Sequence, residues 1–277
     1  MKHDVISKLQ DLTALSWDER AVTTGTGGVF LKARASTSRG DIYYKLSNYD
    51  RYRGIFGHES ANEVIASRLL DLLGIDHIPY RLVHALVRVD GVEHETWLSE
   101  SRDYRRPDER RTSLDTFYDL NAAEREAPLD FCIAQGWAHE IQAMMAFDYL
   151  ILNRDRHGAN IEIVYRGGRP CLAPLFDHGL SFVCLCGDRQ DDVRAFDAMK
   201  DDPVNNFIGA RHLEENLRFL PQGLFDPLDL ESHRDCIFRN LGDVLSAVHV
   251  SKIWEIIMLR WEYLAELGIV GEGDEPR

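Results

Sequence analysis

Long apolar runs are what this sequence most clearly lacks. Nowhere do eighteen apolar residues stand together, and the start, Met1-Lys2-His3-Asp4-Val5, has no apolar core of signal-peptide length. Neither a membrane span nor a secretory leader is expected, and the chain reads as soluble and cytoplasmic. Basic charge is also short: 32 Lys and Arg stand against 46 Asp and Glu, a formal net charge of −14. Binding to a nucleic-acid backbone depends on clustered Lys and Arg that displace counterions, so a direct nucleic-acid partner is disfavoured. Cysteine is sparse and odd in number, at Cys132, Cys171, Cys184, Cys186 and Cys236. That pattern suits free thiols in a reducing compartment rather than a disulfide framework. Cys184-x-Cys186 near His178 amounts to half a zinc site at most, because no second Cys or His pair has ligand-like spacing. What remains is an ordinary globule of 277 residues with 44% hydrophobic content, enough for one large domain or for two lobes around a cleft.

The opening is amphipathic, with Val5, Leu9, Leu12 and Leu15 at a helical period. "TTGTGGVFLKARA" then gives a Gly/Thr turn followed by strand-like alternation, and "DIYYKL" puts Ile42, Tyr44 and Leu46 on one face with Tyr43 and Lys45 on the other. From Ser60 to Leu73 the pattern is helical, with Val64, Ile65, Leu69, Leu72 and Leu73 as the buried stripe and Gly74 placed to end it. Two strand-like runs, "YRLVHALVRV" and "VEHETWLS", are joined by Asp90-Gly91, a pair suited to a tight hairpin. Residues 101 to 128 are charged and poor in apolar groups, and read as an exposed crossing or insertion. A helical stripe from Phe131 to Leu152 leads into "NRDRHGAN", and the C-terminal part reads as mainly helical, with no repeat.

After that cluster, "IEIVYRGGRPCLAPLFDHG" holds two short strand patterns flanking Gly167-Gly168. A two-residue turn there sets Arg166 against Arg169 and, further out, Asn160 against Leu175 and Gly158 against Asp177. Asn160 and Asp177 therefore share the open end of one hairpin, within about 7 to 8 Å as diagonal neighbours. Asp155 feeds the same end. Hard cations such as Mg²⁺ take oxygen ligands and usually one or two protein carboxylates, which suits Asn160 and Asp177 as metal ligands. A further carboxylate, Asp155, is suited to orient or deprotonate an attacking hydroxyl. The alternative is that Asp155, Arg156 and His157 cap a helix end and satisfy one another.

Asp155-x-x-x-x-Asn160 followed by Asp177-His178-Gly179 resembles the catalytic loop and metal-binding Asp-Phe-Gly of protein kinases, and Asp155-Arg156-His157 narrows the resemblance to HipA-like serine/threonine kinases and, less closely, phosphatidylinositol kinases. "YYKLSNYD", "GHESANEVIASRLLDLLGI", "PYRLV" and "TWLSES" are similar to short, stand-alone HipA-like proteins, so the resemblance spans most of residues 20 to 182. It implies that Lys45 contacts the α and β phosphates of ATP, with Glu63 as its ion-pair partner. It also implies that the backbone of Thr24, Gly25, Thr26, Gly27 and Gly28 covers the phosphates. Glu63 has a rival role, since Ser60-x-x-Glu63 is a capping box. Some HipA-like kinases phosphorylate their own glycine-rich loop, which makes Thr23, Thr24, Thr26 and Ser36 candidates here. The chain departs from the family in carrying His178 in place of Phe, and in lacking both a clean Gly-x-Gly-x-x-Gly and room for the N-terminal subdomain of full-length HipA toxins. A small antitoxin-like partner is a candidate supplier of that subdomain.

The expectation is thus an α+β, two-lobed protein-kinase-like fold. Residues 1–101 form a lobe with a small antiparallel sheet, and residues 102–277 form a larger, mainly helical lobe. ATP would lie between them, its adenine against Trp97 to Ser101 with Glu100 among the contacts, and its phosphates between Lys45 and Mg²⁺ on Asn160 and Asp177. The reaction expected is γ-phosphoryl transfer to a Ser or Thr hydroxyl of a protein substrate, with Asp155 positioning the nucleophile and Arg156 or His157 offsetting charge. A lipid or small-molecule kinase and a catalytically silent nucleotide binder are the alternatives. A lipid kinase should show a basic or apolar membrane-facing element, which this acidic chain lacks.

Overall fold

Alternation over residues 32–46 and 80–102 dictates a sheet that buries one face, and the structure has it. The computed structural model describes residues 3–18, 30–38, 40–106 and 109–271. Strands β1 (Val5–Asp11), β2 (Lys32–Thr37) and β3 (Gly40–Leu46) are followed by a small hairpin, β4 (Asn48–Asp50) and β5 (Gly54–Phe56). Helix α1 (Glu59–Leu73) comes next, then β6 (Tyr80–Val89) and β7 (Val92–Arg102). The five-stranded sheet has the order β1-β6-β7-β3-β2. The β6–β7 turn is Asp90-Gly91, both at positive φ, with Val89 paired to Val92. Gly74, at φ +68, closes α1 in the left-handed conformation that the helical pattern requires of it. Leu46, Val83, Ala85, Val87 and Leu98 form the core on one sheet face, while Lys45 points to the other.

The opening segment departs from its helical reading. Residues 5–11 form β1, parallel to β6, so the sheet is not wholly antiparallel. The pairing is irregular between Ile6 and Gln10, and this bulge breaks strict alternation so that the apolar residues fall at helix-like intervals.

The remainder holds β8 (Arg111–Ser113), α2 (Leu114–Asn121), α3 (Pro128–Ala134), α4 (Ala138–Ile151), β9 (Asp155–Arg156), β10 (Glu162–Arg166), β11 (Arg169–Leu172), α5 (Gln190–Ala195), β12 (Asn205–Asn206), α6 (Arg234–Ile237) and α7 (Ala247–Glu266). The stretch expected as one helix from Phe131 to Leu152 is two, because Gly136 at φ +83 breaks it before Trp137. The charged stretch before it is not all exposed either: Leu114 and Phe117 of α2 pack with Phe131, Trp137 and Ile163 in a second core. Between α5 and α7 the chain is largely irregular, with two 3₁₀ turns and the four-residue α6, so the C-terminal part is less helical than its composition suggested. The largest core joins α1 to α4 and α7 through Val64, Leu69, Phe147, Leu150, Ile256 and Ile257, and thereby fixes α1 against the helical part. Arg68 of α1 adds a buried ion pair to Asp4, with Nε to Oδ2 at 2.7 Å.

Candidate active site

Lys45 lies on the sheet face opposite the core and reaches two carboxylates. Its Nζ is 3.2 Å from Glu63 Oε1 on α1 and makes a short contact with Asp177 Oδ1. Burial works against the ammonium charge, but Asp177 and Glu63 more than offset it and hold the Lys45 pKa above its ordinary value. Burial likewise opposes the Asp177 charge, yet Lys45 and Lys32 hold that carboxyl well below the usual range. For Glu63, fully buried, burial wins over the pull of Lys45 and raises the pKa. The Glu63 side chain is not a capping group. Helix α1 starts at His58 without a side-chain cap, the Ser60 amide donates to Ser47 Oγ at 3.2 Å, and Glu63 Oε2 accepts the His178 amide at 2.8 Å.

A second lysine joins this cluster that sequence reasoning did not single out. Lys32 on β2 stands directly opposite Lys45 on β3, and its Nζ is 3.5 Å from Asp177 Oδ2. Like charges directly opposite across a ladder repel, and here the shared anion Asp177 offsets them. The alternation that turns Lys45 away from the core applies equally to Lys32 once the β2–β3 register is known.

Helix α1 also positions the segment carrying Asp177. Asn62 Nδ2 donates to the carbonyls of Gly179 at 2.9 Å and Ser181 at 3.1 Å. A Cβ on Gly179 would lie 3.2 Å from Glu59 Cβ, so glycine permits this approach. Asp177 itself sits at φ +60, an uncommon conformation for a non-glycine residue, with its amide donating to Tyr80 Oη at 3.3 Å. His178, at the position occupied by Phe in ordinary protein kinases, is buried against Phe147, and burial and Arg156 keep its imidazole neutral by depressing its pKa well below normal.

The register across Gly167-Gly168 is the expected one near the turn, with Arg166 paired to Arg169, Tyr165 to Pro170, Val164 to Cys171 and Ile163 to Leu172. It does not extend to Asn160 and Gly158: they form a 3₁₀ turn, and Leu175 bridges to His77 instead. At the open end Arg156 Nη1 donates both to Asn160 O, at 3.1 Å, and to Phe176 O, at 2.9 Å, so one nitrogen joins the backbone at Asn160 to the residue before Asp177. Asn160 Nδ2 is turned back onto Asp155 O at 2.8 Å, which leaves its Oδ1 as the outward pole of the amide. A carboxylate and an amide oxygen form a hard donor set of the kind Mg²⁺ takes, so these two residues fit that ion.

Arg156 is placed differently from its sequence reading. It is 1% exposed, and its Nε and Nη2 donate to Asp148 Oδ2 and Oδ1, each at 2.9 Å. With its guanidinium spent on Asp148 and two carbonyls, it braces the loop from within and does not face a transferred phosphoryl group. Gly158 is also explained otherwise: a Cβ there would lie 2.5 Å from Asp115 Cβ, so the close crossing is with α2 and not with Asp177. Asp155 and His157 stay accessible, with His157 Nε2 3.7 Å from Asp155 Oδ2. Asp155 Oδ1 accepts from Asn205 Nδ2 at 2.8 Å, a contact across fifty residues that no local spacing announces.

Glu100 is not available to a nucleotide base. Its residue lies between Arg81 of β6 and Tyr44 of β3, so its main chain is inside the sheet, and its Oε1 accepts Arg81 Nε at 3.0 Å. Ser99 and Ser101 are likewise paired on both sides, and Ser99 stands opposite Lys45, on the same face of the sheet. Thr23, Thr24, Gly25, Thr26, Gly27 and Gly28 lie outside the described residues. Ser36 is on strand β2, donating from Oγ to Asp41 Oδ1 at 2.7 Å.

No protein-family model matches the sequence, and no curated protein does. Solved structures do match. A Helicobacter pylori proinflammatory kinase, CtkA, is similar with a TM-score of 0.60 at 14% identity, over 94% of this chain and 97% of that one. HipA of Shewanella oneidensis MR-1, solved as a toxin–antitoxin complex with HipB and operator DNA, aligns over 94% of this chain and 62% of its own, at 13% identity and a TM-score of 0.42. The kinase fold implied by the sequence resemblance is therefore the fold this chain has, shared with CtkA over nearly its whole length.

Proposed function

We propose that the protein is an ATP-dependent phosphotransferase, a HipA-like kinase that transfers the γ-phosphoryl group to a Ser or Thr hydroxyl of a protein. The observation that carries this reading is the convergence of Lys45 and Lys32 on Asp177, with Glu63 holding Lys45, beside the hairpin end that holds Asn160. Two lysines facing one point, with an oxygen-donor pair next to them, make a site for a polyphosphate and its counter-cation. Asn160 and Asp177 would hold Mg²⁺, which offsets phosphate charge when bound. Lys45 and Lys32, the two cations that face this point, would bind phosphate oxygens. Glu63 keeps Lys45 in place from α1.

In the transfer, a bond forms between the acceptor oxygen and the γ-phosphorus, the bond to the β-bridging oxygen breaks, and ADP leaves. The hydroxyl proton passes to Asp155, the carboxylate nearest the open face of the loop. His157, beside Asp155 Oδ2, is the group left to offset developing charge, since Arg156 is committed to the interior. Autophosphorylation, a cleft dividing residues 1–101 from 102–277, and an antitoxin-like partner belong to the same reading. Phosphoproteomics after induced expression tests the acceptor class. New Ser and Thr phosphosites on other proteins are expected with the wild type and not with Asp177→Ala, and none beyond the chain's own would overturn the protein-kinase assignment.

A further inference from the structure

We propose that Asn205 is a positioning residue for Asp155, and that the loop from Asn205 to Ala210 is built to present it. The inference rests on the kinase reading above and assigns a function to a segment that no motif marks.

Strand β12 pairs parallel with β9, setting Asn205 against Asp155 and Asn206 against Arg156. The ladder is closed by Asn205 N donating to Arg154 O and Phe207 N donating to Arg156 O, both at 3.0 Å. Beyond it the loop is fixed by its own amides. Asn206 Nδ2 donates to Ile208 O at 2.7 Å and Ala210 O at 2.9 Å, while Asn216 Oδ1 accepts the Ala210 amide at 2.6 Å. Gly209 takes φ +82 and passes so near Asn216 that a Cβ would lie 2.4 Å from its Oδ1. Ile208 is fully buried in the second core.

Of the three asparagines here, Asn206 and Asn216 hold the loop's own backbone, and Asn205 alone turns its amide onto the candidate base. Its exposure leaves that bond at the mouth of the site. A side chain needed only for the fold would gain more from a buried partner, whereas a neutral donor on one carboxylate oxygen fixes the plane of Asp155. It leaves Oδ2 for the acceptor hydroxyl. Arg156, pinned to Asp148 underneath, holds the same two-residue strand from the other side. Asp155 is thus held through both its main chain and its side chain on a rigid support, the condition for a reacting group to keep its geometry.

The test is single-turnover γ-phosphoryl transfer by Asn205→Ala, by Asn205→Leu, which keeps much of the shape and removes the donor without adding charge, and by each in an Asp155→Asn background. Loss of a hydrogen bond to a charged group is expected to lower the transfer rate by about tenfold to a hundredfold. The ATP KM and the unfolding midpoint of Asn205→Leu should stay near the wild-type values. In the Asp155→Asn background the Asn205 substitutions should have no further effect, because there is no base left to position. If Asp155→Asn transfers as fast as the wild type, the kinase reading and this inference both fall. If Asp155→Asn is slow but the Asn205 variants are unimpaired, or if the two losses multiply in the double variants, this inference alone falls.

Discussion

Replacing Arg156 by methionine separates a bracing role from a catalytic one. Arg156 and Asp148 are almost wholly enclosed, with side chains 1% and 4% exposed, and the guanidinium makes four hydrogen bonds. Methionine fills much of the volume but leaves Asp148 with Asn153 Nδ2, at 2.8 Å, as its remaining side-chain donor. The carbonyls of Asn160 and Phe176 lose the same partner. Breaking one side of a buried ion pair costs about 3–5 kcal/mol, and each stranded acceptor adds about 1 kcal/mol or more. At about 2–4 °C per kcal/mol for a chain of this size, the unfolding midpoint should fall by about 10 °C or more. Calorimetry at pH 7 would read it. Arg156→Met with Asp148→Leu should recover at least half of that fall, since replacing a whole buried pair by apolar groups is often close to neutral. An Arg156→Met variant that melts within about 2 °C of the wild type while losing all phosphoryl transfer would refute this reasoning and return Arg156 to the reacting phosphate.

Lys32→Ala should raise the ATP KM about tenfold and leave the unfolding midpoint unchanged, because it removes one phosphate-facing cation at an exposed strand position. An unchanged KM in initial-rate assays would contradict that role. Burial pushes the Glu59 carboxyl from its ordinary 4.5 up to about 7. A folded-state pKa above the unfolded one means that the unfolded chain ionises first, so wild-type stability falls as pH rises from about 4.5 to about 7 and is level beyond. Glu59→Gln should therefore melt higher than the wild type by an amount that grows across that window towards about 3 kcal/mol, and a pH-independent difference would count against it. Gly158→Ala should lower the unfolding midpoint through its contact with Asp115, at a cost of about 1–3 kcal/mol, and an unchanged midpoint would show that α2 can yield.

What the sequence disclosed was what local geometry determines. Two glycines of positive φ at positions 167 and 168 fix one register as far as Ile163 and Leu172, but the ladder does not continue to Asn160, which Arg156 joins to Phe176 instead. Strict alternation over residues 42–46 fixes the direction of Lys45, and Gly74 marks the end of α1. Contacts distant in sequence were not legible. Strand β1 is parallel to a partner some seventy residues away and carries a bulge, so its period misleads. Glu100 looked free because nothing in its own segment shows that β3 lies along β7. Arg156 sits in a catalytic-looking cluster, and only the fold brings Asp148 under it. Asn205 has no signal beyond two adjacent asparagines, since its partner lies fifty residues upstream.

The central assignment is tested most directly by measuring Mg²⁺-ATP binding and γ-phosphoryl turnover side by side in the wild type and in Asp155→Asn. Asp155 makes no contact with Lys45, Lys32 or Asp177 among the described residues, so binding should persist within about threefold, while turnover should fall about a hundredfold or more through loss of the base. Equal turnover by the two proteins, or no ATP binding by either, would contradict it.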